Sequence, residues 1–237
     1  AGDEAVTIAA ILPCRGRPEQ TSVCVRRLLA TAGMQQHGTE WTLYLAGGQD
    51  EHAMIAQIAS EVAGRDRQSI VIATAAQPRL SYWQALAHVT QATTAPLLAT
   101  LANDLLPGMH WLRRAVDAYQ EAFGNGSGLL GFNGDSHGVE HSCHVLVDRD
   151  LLTTLGGWPV WYQHNFGDTE LCARTTQLGR YAKAPWALLY HNHPFFGGAD
   201  DATYAEGRAS SDADERLYHE RKRAGWPTVS PSSSPPP

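Results

Sequence analysis

Asp104 stands beside Asn103 just after the apolar run Pro96-Leu-Leu-Ala-Thr-Leu101 and offers a hard carboxylate oxygen of the kind Mg2+ or Mn2+ takes. With the Asn103 amide oxygen next to it, the pair suits a divalent cation that holds a diphosphate; the competing reading is an Asp that caps the next helix. His191 and His193 lie two apart after a strand-like run, so they share a side, and one of them can complete a site with Asp104. The bland alternative is a packed or surface histidine pair. Pro13-Cys-Arg-Gly-Arg17 presents Arg15 and Arg17, and Arg79 follows Pro78. Guanidiniums match phosphate oxygens, although two arginines after a strand also make an ordinary solvated loop. Neither a G-x-x-x-x-G-K-[ST] loop nor a G-x-G-x-x-G fingerprint is present. Asp168 and Glu170 follow Phe166-Gly167 at the start of a helical stretch. There a carboxylate is either a helix N-terminal charge or, for Asp168, a general base for an acceptor hydroxyl. His141 and His144, three apart on what reads as a strand, face opposite sides and are read as structural or acceptor-lining, not zinc-binding.

The elements that must position these groups are legible in the apolar pattern. Val6 to Leu12 is a continuous β-prone run stopped by Pro13, the mark of a buried central strand. Glu19 to Ala32 has helical spacing and closes at Gly33; Trp41 to Ala46 is a second strand ending at Gly47-Gly48; Glu51 to Ala63 is a second helix. Ser69 to Ala73, a helix from Tyr82 to Thr90, and Pro96 to Leu101 continue the alternation. Repeated strand–helix units predict a mostly parallel central sheet flanked by helices on both faces. Ligands of such sheets collect beyond the strands' carboxyl ends, which singles out the loops 13–17, 47–50, 77–79 and 103–104. Further on, the pattern predicts a helix over 107–123, a strand over 140–147, a helix over 151–155, a helix over 168–178 and a strand over 187–190. The segment 200–225 reads as helical in part. Residues 230–237 form a Ser/Pro tail with nothing to bury.

The chain has 237 residues, 18 Lys plus Arg and 24 Asp plus Glu, for a net charge of −6. That sign excludes capture of nucleic acid by overall charge and leaves only a local basic groove, for which Arg221, Lys222 and Arg223 are candidates. No apolar run approaches the ~20 residues of a membrane-spanning helix. The start of the chain lacks a signal-peptide pattern. Cys14, Cys24, Cys143 and Cys172 form no C-x-x-C pair, which predicts reduced thiols in a cytoplasm.

Taken in order, these residues resemble the inverting GT-A glycosyltransferases, specifically the family 2-like enzymes that use nucleotide sugars. Ile11-Leu-Pro-Cys-Arg-Gly-Arg-Pro-Glu19 is similar to that family's opening strand and donor loop. Leu101-Ala-Asn-Asp104, with Pro107-Gly108 and Trp111-Leu112, is similar to its acidic metal motif. Val145 to Leu152, Leu155-Gly-Gly-Trp158 and Phe166-Gly-Asp-Thr-Glu-Leu171 are similar to its acceptor-side segment, and Tyr190-His-Asn-His-Pro194 to its late metal histidine. The resemblance covers roughly residues 6 to 225. It implies an α/β GT-A (Rossmann-like) single domain over 1–227, with a nucleotide-sugar half at 1–106, an acceptor half at 107–227 and a disordered tail at 228–237.

The resemblance further implies Asp168 as catalytic base, and Asp104 with His193 or His191 as ligands of Mn2+ or Mg2+. Pro13, Arg15, Arg17, Gly47, Arg79 and Asn103 fall on the donor side, Trp158 and Glu170 on the acceptor side. The donor is a nucleoside-diphosphate sugar, and the acceptor a hydroxyl. The small size, with the late Asp201-Ala-Thr-Tyr204 and the segment Asp214 to Arg223, resembles phage-encoded members, which offers a hydroxymethylated pyrimidine in DNA as one acceptor, with host cytoplasm as location; a glycan or a protein is another. Where the family usually carries an Asp-Asp-Gly-Ser-like motif this chain has Ala46-Gly47-Gly48-Gln49-Asp50, and its metal motif is Asn103-Asp104-Leu105 rather than a run of acids. Two readings of another class stay open: a hydrolase that turns the same carboxylates on water, and a sugar-nucleotide-binding protein without catalysis.

Overall fold

The first strand, β1 (Thr7–Pro13), is buried along its central five residues because both of its faces are covered. Ile8, Ala10 and Leu12 point into one apolar cluster, Ala9 and Ile11 into another, as the two-residue period of a strand requires. In the computed structural model, which describes residues 7–34, 39–63, 69–134, 141–194, 198 and 200–227, β1 lies at the middle of an eight-stranded sheet. The other strands are β2 (Glu40–Gly47), β3 (Ser69–Thr74), β4 (Leu97–Thr100), β5 (Leu105–Pro107), β6 (Leu129–Asn133), β7 (Val145–Asp148) and β8 (Tyr181–His191). Their order is β3-β2-β1-β4-β7-β6-β8-β5. The four strands β3-β2-β1-β4 are parallel throughout, while β7 runs antiparallel to both β4 and β6.

Helices α1 (Pro18–Thr31), α2 (His52–Ala63) and α4 (Trp111–Phe123) cover one face. Helices α3 (Tyr82–Ala92), α5 (Arg149–Thr154), α6 (Gly167–Gln177) and the last part of α7 (Ala202–Arg223) cover the other. The predicted mostly parallel sheet between two helical layers is therefore the one observed. Trp111 is fully buried under the first layer, and its indole N–H donates to Leu28 O at 3.0 Å, so its polar edge is satisfied. Among the described residues no helix is long and apolar enough to cross a membrane.

The predicted helix over 107–123 begins only at Trp111, because Pro107 belongs to β5 and pairs with Leu189. The predicted strand over 140–147 is reduced to Val145–Asp148; residue 140 lies outside the described residues, and His141 sits on the loop before the strand. The late strand is eleven residues long and bends between Phe132/Ala184 and Asn133/Leu188, where the register with β6 slips. That slip, held by Asn133 Nδ2 donating to Pro185 O at 2.9 Å, carries the end of β8 across to β5. The polar segment near the end is one continuous 22-residue helix, α7, capped by Asp201, which accepts from the N–H groups of Thr203 and Tyr204. The Ser/Pro tail lies outside the described residues.

Asp214, buried on α7, accepts backbone N–H bonds from Gln163, His164 and Asn165 at 2.9, 2.9 and 2.8 Å and so fixes the loop that leads into α6. Hydrogen bonds to a charged group are the strong ones, and removing this one orphans three amides at once. Asp214→Ala is expected to cost about 3 kcal/mol, read as a lower urea midpoint at an unchanged slope.

Candidate active site

The carboxyl ends of the parallel strands gather the donor-side loops on one edge. Cys14 N–H bonds Ala46 O at 2.7 Å, so β1 and β2 leave the sheet together. Arg17 then adopts a left-handed backbone (φ 54°), an uncommon state for a residue with a Cβ, before Pro18 starts α1. Asn103 turns its amide inward, donating to Thr21 Oγ1 at 3.0 Å and to Arg15 O at 3.3 Å. It braces the Arg15–Arg17 loop from below. Gly48 lies against the next loop so closely that a Cβ would stand 2.3 Å from Pro78 O, and Gln49 and Asp50 donate backbone N–H bonds to Gln77 O and Pro78 O. The glycine pair that replaces the expected acids thus lets the loops after β2 and β3 touch, and it brings Asp50 within 3.4 Å of Arg79.

Asp104 follows β4 and is 5% exposed. The register Leu105↔His191 between β5 and β8, with Asn192 N–H on Asp104 O at 3.0 Å, sets the His191 ring beside its carboxylate. His191 Nε2 is 3.3 Å and Arg17 Nη1 3.6 Å from Asp104 Oδ2, and Tyr204 Oη donates to the same oxygen at 2.6 Å. Burial would raise the Asp104 pKa, but the hydrogen bond and charge of His191, together with the Tyr204 hydroxyl, hold it well below the usual carboxylate range. Its other oxygen, Oδ1, is buried with no hydrogen-bond partner. An ionised carboxylate with an orphaned oxygen, next to imidazole, is the donor set that Mn2+ or Mg2+ fits. The His193 ring packs 5.2 Å from that of His191 and 4.5 Å from Tyr204. Burial, followed by the electrostatic interaction with the neighbouring His191 ring, depresses its pKa to about 4, so the His193 ring is neutral at pH 7 and keeps a lone pair for a metal.

Asp168, in the first turn of α6, uses Oδ1 to accept its neighbour Thr169 N–H at 2.8 Å and turns Oδ2 toward His141 Nε2 at 3.3 Å. Its side chain is 23% exposed and so reachable from solvent. Phe166, two residues before, is again left-handed (φ 66°). Two acceptor-side expectations are corrected. Glu170 is completely buried and its oxygens are taken by Arg221 (2.8 and 2.8 Å), Tyr162 (2.8 Å), Arg174 (3.2 Å) and Trp161 Nε1 (3.3 Å), so it is a structural hub. Trp158 is 3% exposed, lies in the core and donates its indole N–H to Thr90 Oγ1 at 2.7 Å. The same Glu170 hub removes Arg221 from the supposed basic patch.

No protein-family profile and no curated protein sequence matches this chain. Solved structures do. A mannosyltransferase from Pyrobaculum calidifontis, in complex with GDP-Man and Mn2+, superposes with a TM-score of 0.62 at 13% identity over 80% of this chain and 57% of that one. Glucosyl-3-phosphoglycerate synthase from Mycobacterium tuberculosis, in complex with Mn2+, UDP and glucosyl-3-phosphoglycerate, gives 0.59 at 17% identity over 94% of this chain and 81% of its own. S. aureus TarS 1–349 gives 0.54 at 10% identity over 78% of this chain and 60% of its own. The fold is that of the GT-A glycosyltransferases.

On this GT-A scaffold the donor edge is roofed by the first turns of α7. Asp201 takes Arg17 in a two-pronged pair (2.5 and 2.7 Å), and the Arg17 guanidinium also stacks 3.8 Å over the Tyr204 ring. Glu206 pairs with Arg15 and reaches Arg79 at 3.5 Å. A cavity of about 300 Å³ opens between Arg15, Arg79, His164 and Glu206. The sheet-edge rule thus brings Arg15, Arg17, Arg79, Asp104, His191 and His193 together, whereas Pro13 and Gly47 contribute backbone turns. Glu206 was not singled out by the sequence, and Asp201 and Tyr204 entered only through the resemblance to phage-encoded enzymes, with no role at the site. Their one signal is an Asp-x-x-Tyr spacing at a helix start, which puts a cap and an inward ring on the same turn.

Proposed function

We propose that this chain is a divalent-cation-dependent glycosyltransferase that moves a sugar from a nucleoside-diphosphate sugar to an acceptor hydroxyl with inversion at the anomeric carbon. The observation that carries the reading is the buried Asp104 carboxylate, with one oxygen unpartnered, set between His191 and the arginine-bearing loops at the carboxyl edge of the parallel strands. The complexes of two fold neighbours with Mn2+ and nucleotides support it by analogy.

Asp104, with His191 or His193, would hold Mn2+ or Mg2+, which supplies positive charge to the diphosphate. Arg15 and Arg79 bind diphosphate oxygens, and their guanidiniums stabilise the charge that develops as the C1–O bond to the diphosphate breaks. Asp168 Oδ2 accepts the acceptor hydroxyl proton, the acceptor oxygen forms the new bond to C1 from the opposite face, and the electron pair leaves with the diphosphate. The nucleotide-sugar half is 1–106 and the acceptor half 107–227. The acceptor is a hydroxyl compound that reaches the open Asp168 edge. A hydroxymethylated pyrimidine in DNA has the required hydroxyl, but the buried Arg221 gives it no phosphate contact. Reduced thiols and a nucleotide-sugar donor fit action in the cytoplasm.

The test is a thermal-shift screen of UDP-, GDP- and dTDP-sugars with and without Mn2+, since a ligand of the native state raises the Tm. One donor is expected to give a Mn2+-dependent rise that Asp104→Ala removes. A rise unaffected by that substitution, or the release of free sugar at full rate without any acceptor, sinks the proposal.

A further inference from the structure

Next to the acceptor edge Asp168 belongs to a set of donor atoms, two of which, from His141 and Cys143, sugar transfer does not need. His141, Cys143 and Asp168 bring an imidazole nitrogen, a thiol sulfur and a carboxylate oxygen within 4.8 Å of one another. His141 and Asp168 are 17% and 23% exposed and Cys143 is half-buried, so an ion can enter from solvent; Cys14, Cys24 and Cys172 are buried. The ligands are also held in place. Lys183 Nζ donates to His141 O at 2.8 Å, and Asp168 is fixed through Oδ1 by Thr169 N–H, which leaves Oδ2 facing His141 Nε2 at 3.3 Å. One nitrogen, one sulfur and one oxygen from the protein are a zinc-type donor set. A thiolate also discriminates against Mg2+ and Mn2+, the ions suited to the hard oxygen of Asp104.

We propose that His141, Cys143 and Asp168 form a second metal site, selective for Zn2+ or a similarly thiophilic divalent ion, and that occupancy of this site blocks sugar transfer by capturing Asp168. The site stands on geometry alone; the block rests on the base role of Asp168 proposed above. Cys143 S–H loses its proton to solvent as the sulfur–metal bond forms, and the Asp168 Oδ2 lone pair goes to the metal instead of to the acceptor proton. No electron changes hands.

Co2+, which reports thiolate ligation by a sulfur-to-cobalt charge-transfer band, is titrated into the full chain and into Cys143→Ser, followed by Zn2+ competition. Sugar transfer is measured in parallel at saturating Mn2+, with and without Zn2+. The band is expected in the wild type and absent from Cys143→Ser. That variant should bind Co2+ at least ~10–100-fold more weakly, the loss that even outer partners of a ligand cause. Zn2+ should displace the cobalt and inhibit the wild type, while Cys143→Ser keeps wild-type transfer and resists Zn2+. Absence of the band, or its persistence in Cys143→Ser, overturns the site. A Zn2+-displaceable band with uninhibited transfer overturns the blocking role and, with it, Asp168 as base, while the metal site stands.

Discussion

Asp168→Asn is expected to lower kcat for sugar transfer by about 10²–10⁴-fold, the usual worth of a positioned general base, with little change in the affinity for the nucleotide-sugar donor. The substitution preserves the shape of the side chain and leaves a carbonyl oxygen to accept the Thr169 N–H that now holds Oδ1 at 2.8 Å. It removes the basic oxygen that faces His141 Nε2. A loss confined to kcat marks an interaction made in the transition state, whereas a raised donor KM at unchanged kcat would mark a binding role. Single-turnover measurements with saturating donor separate the two, and a wild-type rate in the variant removes Asp168 from the chemistry. His141 bears on the same measurement because its ring sits at the oxygen proposed to receive the proton.

Glu170→Gln is expected to destabilise the fold by about 3–5 kcal/mol, the cost of stripping one partner from a buried ion pair. Against a total stability of about 5–15 kcal/mol this is a large share, and it is read as a lower midpoint of chemical unfolding. The amide keeps the volume of the carboxylate but leaves the Arg221 and Arg174 guanidiniums facing a neutral group inside the protein. The pH dependence of the native protein supplies an independent check. Burial would raise the Glu170 pKa, but the hydrogen bonds of Arg221 and Tyr162 and the charges of both arginines reverse that and lower it. A carboxyl whose pKa is lower folded than unfolded contributes fully above its unfolded value and loses that contribution as pH falls through the folded one. The native protein should therefore lose stability on acidification below about pH 4.3, the ordinary glutamate value, and Glu170→Gln should show a shallower loss over the same range. Parallel acid profiles for the two proteins would contradict the hub.

The parallel half was readable because its strands are covered on both faces: the unbroken runs at 7–13 and 97–100 have no polar alternation to confuse with a helix. The loops beyond them could then be assigned to one edge before any contact was known. β5 was not readable. Three residues ending in Pro107 carry no periodicity, and they form a strand only because the register slip in β8 delivers partners 82 to 86 residues away. That partner is what seats His191 at Asp104, so the histidine could be named from its motif but the reason for its position could not. Glu170 shows the opposite failure. Its place beside Asp168 in a short motif suggested acceptor contact, yet its environment is decided by Arg221, 51 residues on, whose own cluster offered itself as a local basic groove. The clamping role of Asp201 and Glu206 was not legible because solvated acids and acids that clamp arginines have the same local sequence.

The placement of α7 makes the anchoring of a helix and the binding of an anion two sides of one equilibrium. Asp201 and Glu206 occupy Arg17, Arg15 and Arg79 with carboxylates, so any phosphate that comes to the same guanidiniums must displace them. The free energy with which the first turns of α7 dock is thereby subtracted from the free energy of binding the proposed donor, and by linkage the subtraction is reciprocal. Sequence changes that weaken the grip of α7 on those arginines should therefore tighten the proposed donor while loosening the fold, which ties the affinity of the edge to a helix that carries none of the guanidiniums.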